Sequence, residues 1–215
     1  MTARAGLEDK DDDDLAGLVD AIHACRLCAE RFAVTATRHA PRPVPWLSAD
    51  APILVSGQAP GIKVHERGRP FDDASGDRLR EWLGVDRDTF YDRRMFAVLP
   101  MAFCFPGYDA KGSDLPPPPV CANTWRAEAL AAMPGIRLIL LIGGHAQRWH
   151  LGKRAGGVTE AVGAWREAPP GILSLPHPSW RTIGWQRRNP WFEAEVIPHL
   201  RARVAELIGP AATGN

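Results

Sequence analysis

"RLILLIGGHAQRWHLG", residues 137–152, decides the fold. Its apolar run, Leu138 to Ile142, does not alternate with polar residues, so a strand built from it is buried on both faces, as in a parallel sheet covered by helices. Two glycines stop the run, and HAQRWHLG then has the length and composition of a short helix. Strand, glycine turn and helix make half of a βαβ unit. Working outward, the same grammar recurs. PILVSG (52–57), RMFAVLPMAF (94–103) and GILSLP (171–176) read as the other strands. Between and around them, ASGDRLREWLG (74–84) reads as a helix capped by Ser75 and ended by Gly84. CANTWRAEALAAM (121–133) reads as another, and LAGLVDAIHACRLCAERF (15–32) has helical apolar spacing. NPWFEAEVIPHLRARVAELIG closes the chain as a helix opened by Asn189-Pro190, with Pro198 placed to kink it. The expected class is α/β: three layers, α/β/α, around a central four-stranded, mostly parallel sheet. Residues 1–14 are expected to be a flexible acidic tail, and residues 15–210 a single domain.

The totals agree with one large domain. The chain has 215 residues, of which 45% are hydrophobic, enough for a packed core and too many for a disordered chain. No apolar run approaches the roughly 20 residues that cross a bilayer, and MTARAGLEDKDDDD lacks an apolar signal core. The expectation is a cytoplasmic protein with no membrane partner. The formal net charge of +1 conceals an asymmetry: residues 1–14 hold six acids against Arg4 and Lys10, a local −4, so the remainder carries +5. Residues 176–190 contribute +3 of that with no acid among them. Such a patch on a near-neutral chain suits a local anionic partner.

Ligands of parallel α/β sheets sit beyond the carboxyl ends of the strands, and the unusual residues collect there. GQAPG follows the first strand, MAFCFPG the second, GGHA the third and HPSW the fourth. The four cysteines form a CxxC pair, Cys25 and Cys28, and a pair Cys104 and Cys121 with 16 residues between them. A chain without a secretory signal is a poor setting for structural disulfides. Four thiolates suit tetrahedral zinc or an iron–sulfur cluster equally, and the spacing is not that of a zinc ribbon.

Four features together resemble the uracil-DNA glycosylase superfamily, in particular its iron–sulfur-containing branches, families four and five. Cys25, Cys28, Cys104 and Cys121 are similar in order and spacing to the cluster ligands of those branches. GQAPG at 57–61 resembles the first active-site motif, of form GExPG. GRPFDDASGDRL at 68–79 resembles the GxPF segment with its stacking phenylalanine, and HPSWR at 177–181 the HPS-type motif. The chain departs from those branches in having Gln58 in place of the common glutamate. It carries Asp72-Asp73 after the phenylalanine, and its second strand, FAVLPMAFC, has no asparagine to read the uracil edge. The tail HPSWRTIGWQRRNP looks more like the single-strand-selective branch.

The resemblance implies a monofunctional DNA glycosylase that hydrolyses the N-glycosidic bond of flipped-out deoxyuridine and leaves an abasic site. It implies a 4Fe-4S cluster, rather than zinc, on the four cysteines, uracil-containing DNA as partner, and a monomer. An extruded base needs a flat platform, for which Phe71 is placed. Charge growing on uracil O2 needs a donor, for which His177 is placed. Gly57 and Ala59 belong to the substrate-binding motif. Asp72, Asp73, His65, Glu66 and Gln58 are the candidates for handling the attacking water, with Gln58 and Asp73 preferred. Ser179 is expected to meet phosphate or substrate, and Lys63, Arg181, Arg187 and Arg188 the DNA backbone. Trp180 or Arg181 is expected to fill the gap left by the base, while Trp185 and Trp191 are assigned to packing. Of the four lysines, only Lys63 lies at the active-site edge, which argues against Schiff-base chemistry. The alternative is a non-catalytic or covalently trapped uracil-DNA-binding protein carrying a metal cluster, with His65 as the residue that would be trapped. A nucleotide-binding protein is disfavoured because neither GxxxxGK[ST] nor GxGxxG is present.

Overall fold

The computed structural model describes residues 5–209, and of residues 5–13 the backbone alone. Strands β1 (Ile53–Ser56), β2 (Phe96–Val98), β3 (Leu138–Ile142) and β4 (Ile172–Leu175) form one sheet in the order β2-β1-β3-β4. All three pairings are parallel, with Ile53 opposite both Phe96 and Leu138, and Leu140 opposite Leu173. The helices are α1 (Ala5–Ala24), α2 (Ala29–Ala33), α3 (Ile62–Arg67), α4 (Ala74–Leu83), α5 (Arg87–Tyr91), α6 (Pro119–Ala131), α7 (Gly144–Leu151), α8 (Val158–Gly163), α9 (Ile183–Arg188) and α10 (Ile197–Ile208).

The continuous apolar strands divide by alternation between two cores. Ile53, Val55, Phe96, Val98, Leu138, Leu140, Ile142, Leu173 and Leu175 face one side, where they meet Leu79, Trp82 and Leu83 of α4 and Leu200 and Val204 of α10. Leu54 and Ala97 face the other, with Leu15, Leu18 and Ile22 of α1 and Ala129 of α6. A strand whose odd and even residues are both buried must be apolar throughout, which is why the sequence shows runs rather than alternation. The arrangement is the three-layer α/β/α fold.

Several boundaries differ from expectation. The acidic segment expected as a tail is helical from Ala5 onward, continuous with α1; residues 1–4, and residue 210 at the other end, lie outside the described residues. The helix expected over 15–32 breaks after Ala24, so the CxxC pair sits in a turn between α1 and α2. There Arg26 donates from Nη1 to the carbonyls of His23 (2.9 Å) and Cys25 (2.8 Å), replacing the intrahelical bonds that the break removes. The cap of α4 is Asp73, not Ser75: its Oδ1 accepts from Gly76 N at 2.9 Å. The stretch after His177 folds into a 3₁₀ turn (Trp180–Thr182) and α9. A π-helical turn over Phe192–Val196 precedes α10, whose first turn holds Pro198. Proline lacks the N–H that a regular helix would use there, and a widened turn accommodates the loss.

Candidate active site

Because every strand is parallel, all carboxyl ends open on one edge, and the strand order reverses between β1 and β3, where such sheets bind ligands. A cavity of about 440 Å³ opens there. Gly57, Gln58 and Ala59 after β1, Val98 and Pro100 at the end of β2, and His177 and Ser179 after β4 form its wall. Phe71 and Asp73 close it from the segment leading into α4, and Trp180 and Arg181 stand at its rim. The volume falls in the range of small-molecule sites. Phe71 and His177, 106 positions apart in sequence, therefore face one space.

Phe71 is held in a conformation that its residue type resists. Its φ is +54°, in the left-handed region, which costs an L-residue with a side chain roughly 1–2 kcal/mol. The surroundings fix it there. The Phe71 carbonyl accepts from Arg80 Nη1 at 3.2 Å, and the Pro70 carbonyl from the Tyr91 hydroxyl at 2.9 Å. The ring packs edge-on against Phe90, with centroids 6.1 Å apart. Gly76 completes the clamp: a Cβ on it would lie 1.7 Å from the Phe71 carbonyl oxygen, so only glycine lets the first turn of α4 approach. The ring tip reaches Gly57, where an added Cβ would stand 3.6 Å from Cζ. One aromatic face is thus presented over the motif that follows β1.

His177 leaves β4 beside Gly143, whose φ of +78° and N–H bond to Leu175 O (2.9 Å) bring the ends of β3 and β4 together. His177 is exposed to solvent, while the protein packed around the strand end partly desolvates its ring. That desolvation lowers its pKa; Asp73 and Asp114 oppose the shift and Arg181 adds to it. The ring is therefore neutral at physiological pH and can donate one N–H. The following turn is fixed by the Thr182 hydroxyl, within 2.9 Å of His177 O and 2.7 Å of Ser179 O. Arg78 of α4 donates to Ser179 O at 3.4 Å and to Gln186 Oε1 at 2.5 Å, tying the Phe71 side of the cavity to the His177 side.

A stacking ring, a neutral donor and a rim of exposed cation and indole, at the carboxyl edge of a parallel sheet, are the parts that base removal from DNA needs. The family model for the uracil DNA glycosylase superfamily matches residues 44–201. The chain belongs to that superfamily. Membership carries a uracil-DNA glycosylase-like function and DNA binding, and the matched span holds the whole cavity wall. Among the described residues, no helix is long and apolar enough to cross a membrane.

The other residues expected at a glycosylase site are distributed unevenly. Lys63 on α3 and Arg187 and Arg188 on α9 are exposed and outside the cavity wall. Trp180 is 75% exposed, with the Arg181 guanidinium 5.8 Å from its ring. Trp185 donates to Thr159 Oγ1 (2.8 Å) and packs against Trp191 and Phe192, so it serves the core. Asp72 is turned away into ion pairs with Arg87 (2.7 Å) and Arg67 (3.8 Å), and the Arg87 hydrogen bond foremost holds its carboxyl below the usual range. His65 packs edge-on against His39, ring centroids 5.1 Å apart, and beside Phe105, outside the wall. Glu66 is outside it too.

Two functional-looking residues escaped sequence reading. Asp114 lines the cavity from the loop between β2 and α6. Its only sequence signal was a single acid before a proline run. Arg126 of α6 is 1% exposed and reaches the ends of β1 and β2, donating to Ser56 Oγ (2.7 Å), Leu99 O (3.1 Å) and His150 Nε2 (2.5 Å). Burial lowers its pKa to about 10, so the guanidinium stays charged at the back of the sheet edge.

Cys25, Cys28, Cys104 and Cys121 line a second, small apolar pocket with Ile22, Phe32 and Trp125. The turn after α1, the loop after β2 and the first turn of α6 thus converge. The thiols are near enough to influence one another: burial first, then Cys121, pushes Cys104 up to about 12. Among the described residues, however, no group of three or more Cys, His, Asp or Glu has the compact form that holds a single ion. Four thiol donors around an apolar space are a donor set that both zinc and iron–sulfur clusters use.

Proposed function

We propose that the protein is a monofunctional uracil-DNA glycosylase, hydrolysing the bond between uracil and deoxyribose in DNA to leave an abasic site. The observation that carries this is the shared cavity of Phe71 and His177. A uracil rotated out of the stack lies on the Phe71 ring, beneath Gly57 and Ala59, with O2 toward His177. As the glycosidic bond lengthens, negative charge grows on O2, and a neutral imidazole N–H meets it. The donor interacts more strongly with the transition state than with the ground state, and so accelerates the reaction. The Gln58 amide can orient the attacking water but cannot take its proton. Asp73 caps α4 through one oxygen and contributes negative charge beside the cation-like sugar.

On this reading Trp180, with Arg181, fills the gap in the stack, and Ser179 meets a phosphate. Lys63, Arg187 and Arg188, exposed around the rim, neutralise the backbone on either side. The four cysteines would hold a 4Fe-4S cluster, which when bound supplies structural cross-linking rather than chemistry at the base. The protein is proposed to act as a monomer. Covalent trapping through His65 finds no support in its position against His39 and Phe105. The test is incubation of the purified protein with a labelled uracil-containing oligonucleotide, followed by alkali. Strand cleavage at the uracil is expected; a strand that stays intact as both single strand and duplex would overturn the proposal. A labelled band shifted to protein mass on a denaturing gel would favour trapping instead.

A further inference from the structure

The cavity wall leaves one chemical duty unassigned: a group to take the proton from the attacking water. Gln58 has no basic atom at neutral pH. Asp72 is spent in ion pairs with Arg87 and Arg67, and His65 and Glu66 lie outside the wall. Asp73 is in the wall, but its Oδ1 is committed to the Gly76 N–H at the start of α4. The remaining carboxylate in the wall is Asp114.

Asp114 is built into place. Tyr108 and Asp114 pair across a tight turn, closed by Leu115 N to Gly107 O at 2.9 Å and Asp109 N to Ser113 O at 2.9 Å. Asp109 Oδ1 accepts from the N–H groups of Lys111 (2.8 Å) and Ser113 (2.9 Å) inside the turn. The Tyr108 ring rests edge-on against buried Phe105, centroids 5.0 Å apart. Among the described side chains the Asp114 carboxylate has no hydrogen-bond or ion-pair partner, and the residue is exposed and lines the cavity. The ionisable groups beside it are Arg181 and His177, with Tyr108 next to it on the turn. It belongs with exposed Trp180 and Arg181 at the mouth, whereas Gly57 and Val98 are buried at the floor. A base edge goes to the floor, so the mouth is where the sugar stands.

We propose that Asp114 is the general base of the reaction, an assignment that rests on the glycosylase reading above. As the C1′–N1 bond breaks, its electron pair leaves with uracil, whose O2 is met by the His177 N–H. The water oxygen bonds to C1′, and the proton it loses passes to the Asp114 carboxylate. Partial enclosure, only partly offset by Arg181 and His177, raises the carboxyl above its ordinary range, which makes its anion a better proton acceptor.

The experiment measures single-turnover uracil release by the full-length wild type and the variants Asp114→Asn, Asp114→Glu and Asp114→Ala. Affinity for a uracil-containing oligonucleotide and the melting temperature are followed alongside. Asp114→Asn is expected to lose ~100-fold or more in rate with affinity and melting retained, and Asp114→Glu to recover part of that loss. Azide, which attacks carbon without shedding a proton, should accelerate Asp114→Ala but not wild type. The acid limb of the wild-type pH profile should move in Asp114→Asn. A wild type that cleaves while Asp114→Asn keeps its rate overturns the inference alone. So does a slow Asp114→Ala that azide does not accelerate and a slow Asp114→Glu that gains nothing over Asp114→Asn. A wild type that releases no uracil overturns the glycosylase reading, and the inference with it.

Discussion

Partial desolvation at the end of β4 holds the His177 pKa below the ordinary histidine range, against the pull of Asp73 and Asp114. The active form is therefore the one present above that lowered pKa, and activity should hold through pH 6.5, near the unperturbed histidine value of about 6.5, and fall only at more acid pH. Measuring kcat/KM from pH 4.5 to 8 checks this; a rate that already falls between pH 7 and 6 would contradict a neutral donor. His177→Ala should lower single-turnover release on the order of 100- to 1000-fold with little change in DNA affinity. His177 and Phe71 were legible in the sequence because each sits in a short stretch whose neighbours, Pro178-Ser179 and Pro70, mark a strand-end turn. Asp73 was legible as a pocket acid but not as the helix cap, since Ser75 is an equally good capping type and only backbone geometry decides. Asp114 was not legible at all. Its place in the wall comes from a long-range fold of the loop between β2 and α6, and a lone acid before prolines carries no periodicity that could announce it.

At the scale of elements, the start of α4 and the Phe71 turn act as one piece. Gly76→Ala puts a methyl group 1.7 Å from the Phe71 carbonyl oxygen, and because that neighbour is backbone, the turn itself must move. The expected cost is about 1–3 kcal/mol of stability or more, with a loss of uracil release larger than the stability loss explains, because the platform shifts. Thermal melting and single-turnover kinetics on the same variant check both halves. The Arg126 contacts give a second prediction. His150 accepts from that buried guanidinium, and burial, then Arg126, lowers its pKa to about 4. The unfolded chain binds the proton at ordinary histidine pH, so this pair's contribution to stability is complete above about pH 6.5 and is lost as pH falls toward 4. Replacing His150 with Gln should flatten the melting temperature between pH 7 and 5 relative to wild type. The strands were legible because a parallel strand buried on both faces is a run of Val, Ile and Leu. The short helices α3, α5, α8 and α9 were not. Each spans five or six residues, too few for a period to show, and such helices are set by packing rather than propensity.

Across the whole molecule, the order β2-β1-β3-β4 explains why one sheet edge gathers motifs scattered from Gly57 to Arg181. The sequence indicated a parallel sheet but not the order of its strands, because order depends on which way each crossover turns. The same topology brings the loop after β2 against the turn after α1, so Cys104 and Cys121 meet Cys25 and Cys28 from opposite parts of the chain. The CxxC pair could be read from spacing; the helix break that turns it inward could not, because the apolar period continues across it. If a 4Fe-4S cluster occupies these thiols, it cross-links three segments, two of which the hydrogen bond from Phe103 N to Cys121 Sγ (3.4 Å) already joins. Protein purified without oxygen should then absorb broadly near 400 nm and contain about four irons per chain. Cys104→Ser should lose that absorbance, and stripping the iron should lower the melting temperature, because a group bound only by the folded chain stabilises it. Uracil release at low temperature should survive stripping better than stability does, since His177 and Phe71 belong to a separate pocket. A colourless protein containing one zinc per chain would replace the cluster with a single ion. A metal-free protein whose melting ignores both iron and chelator would leave the four thiols as packing.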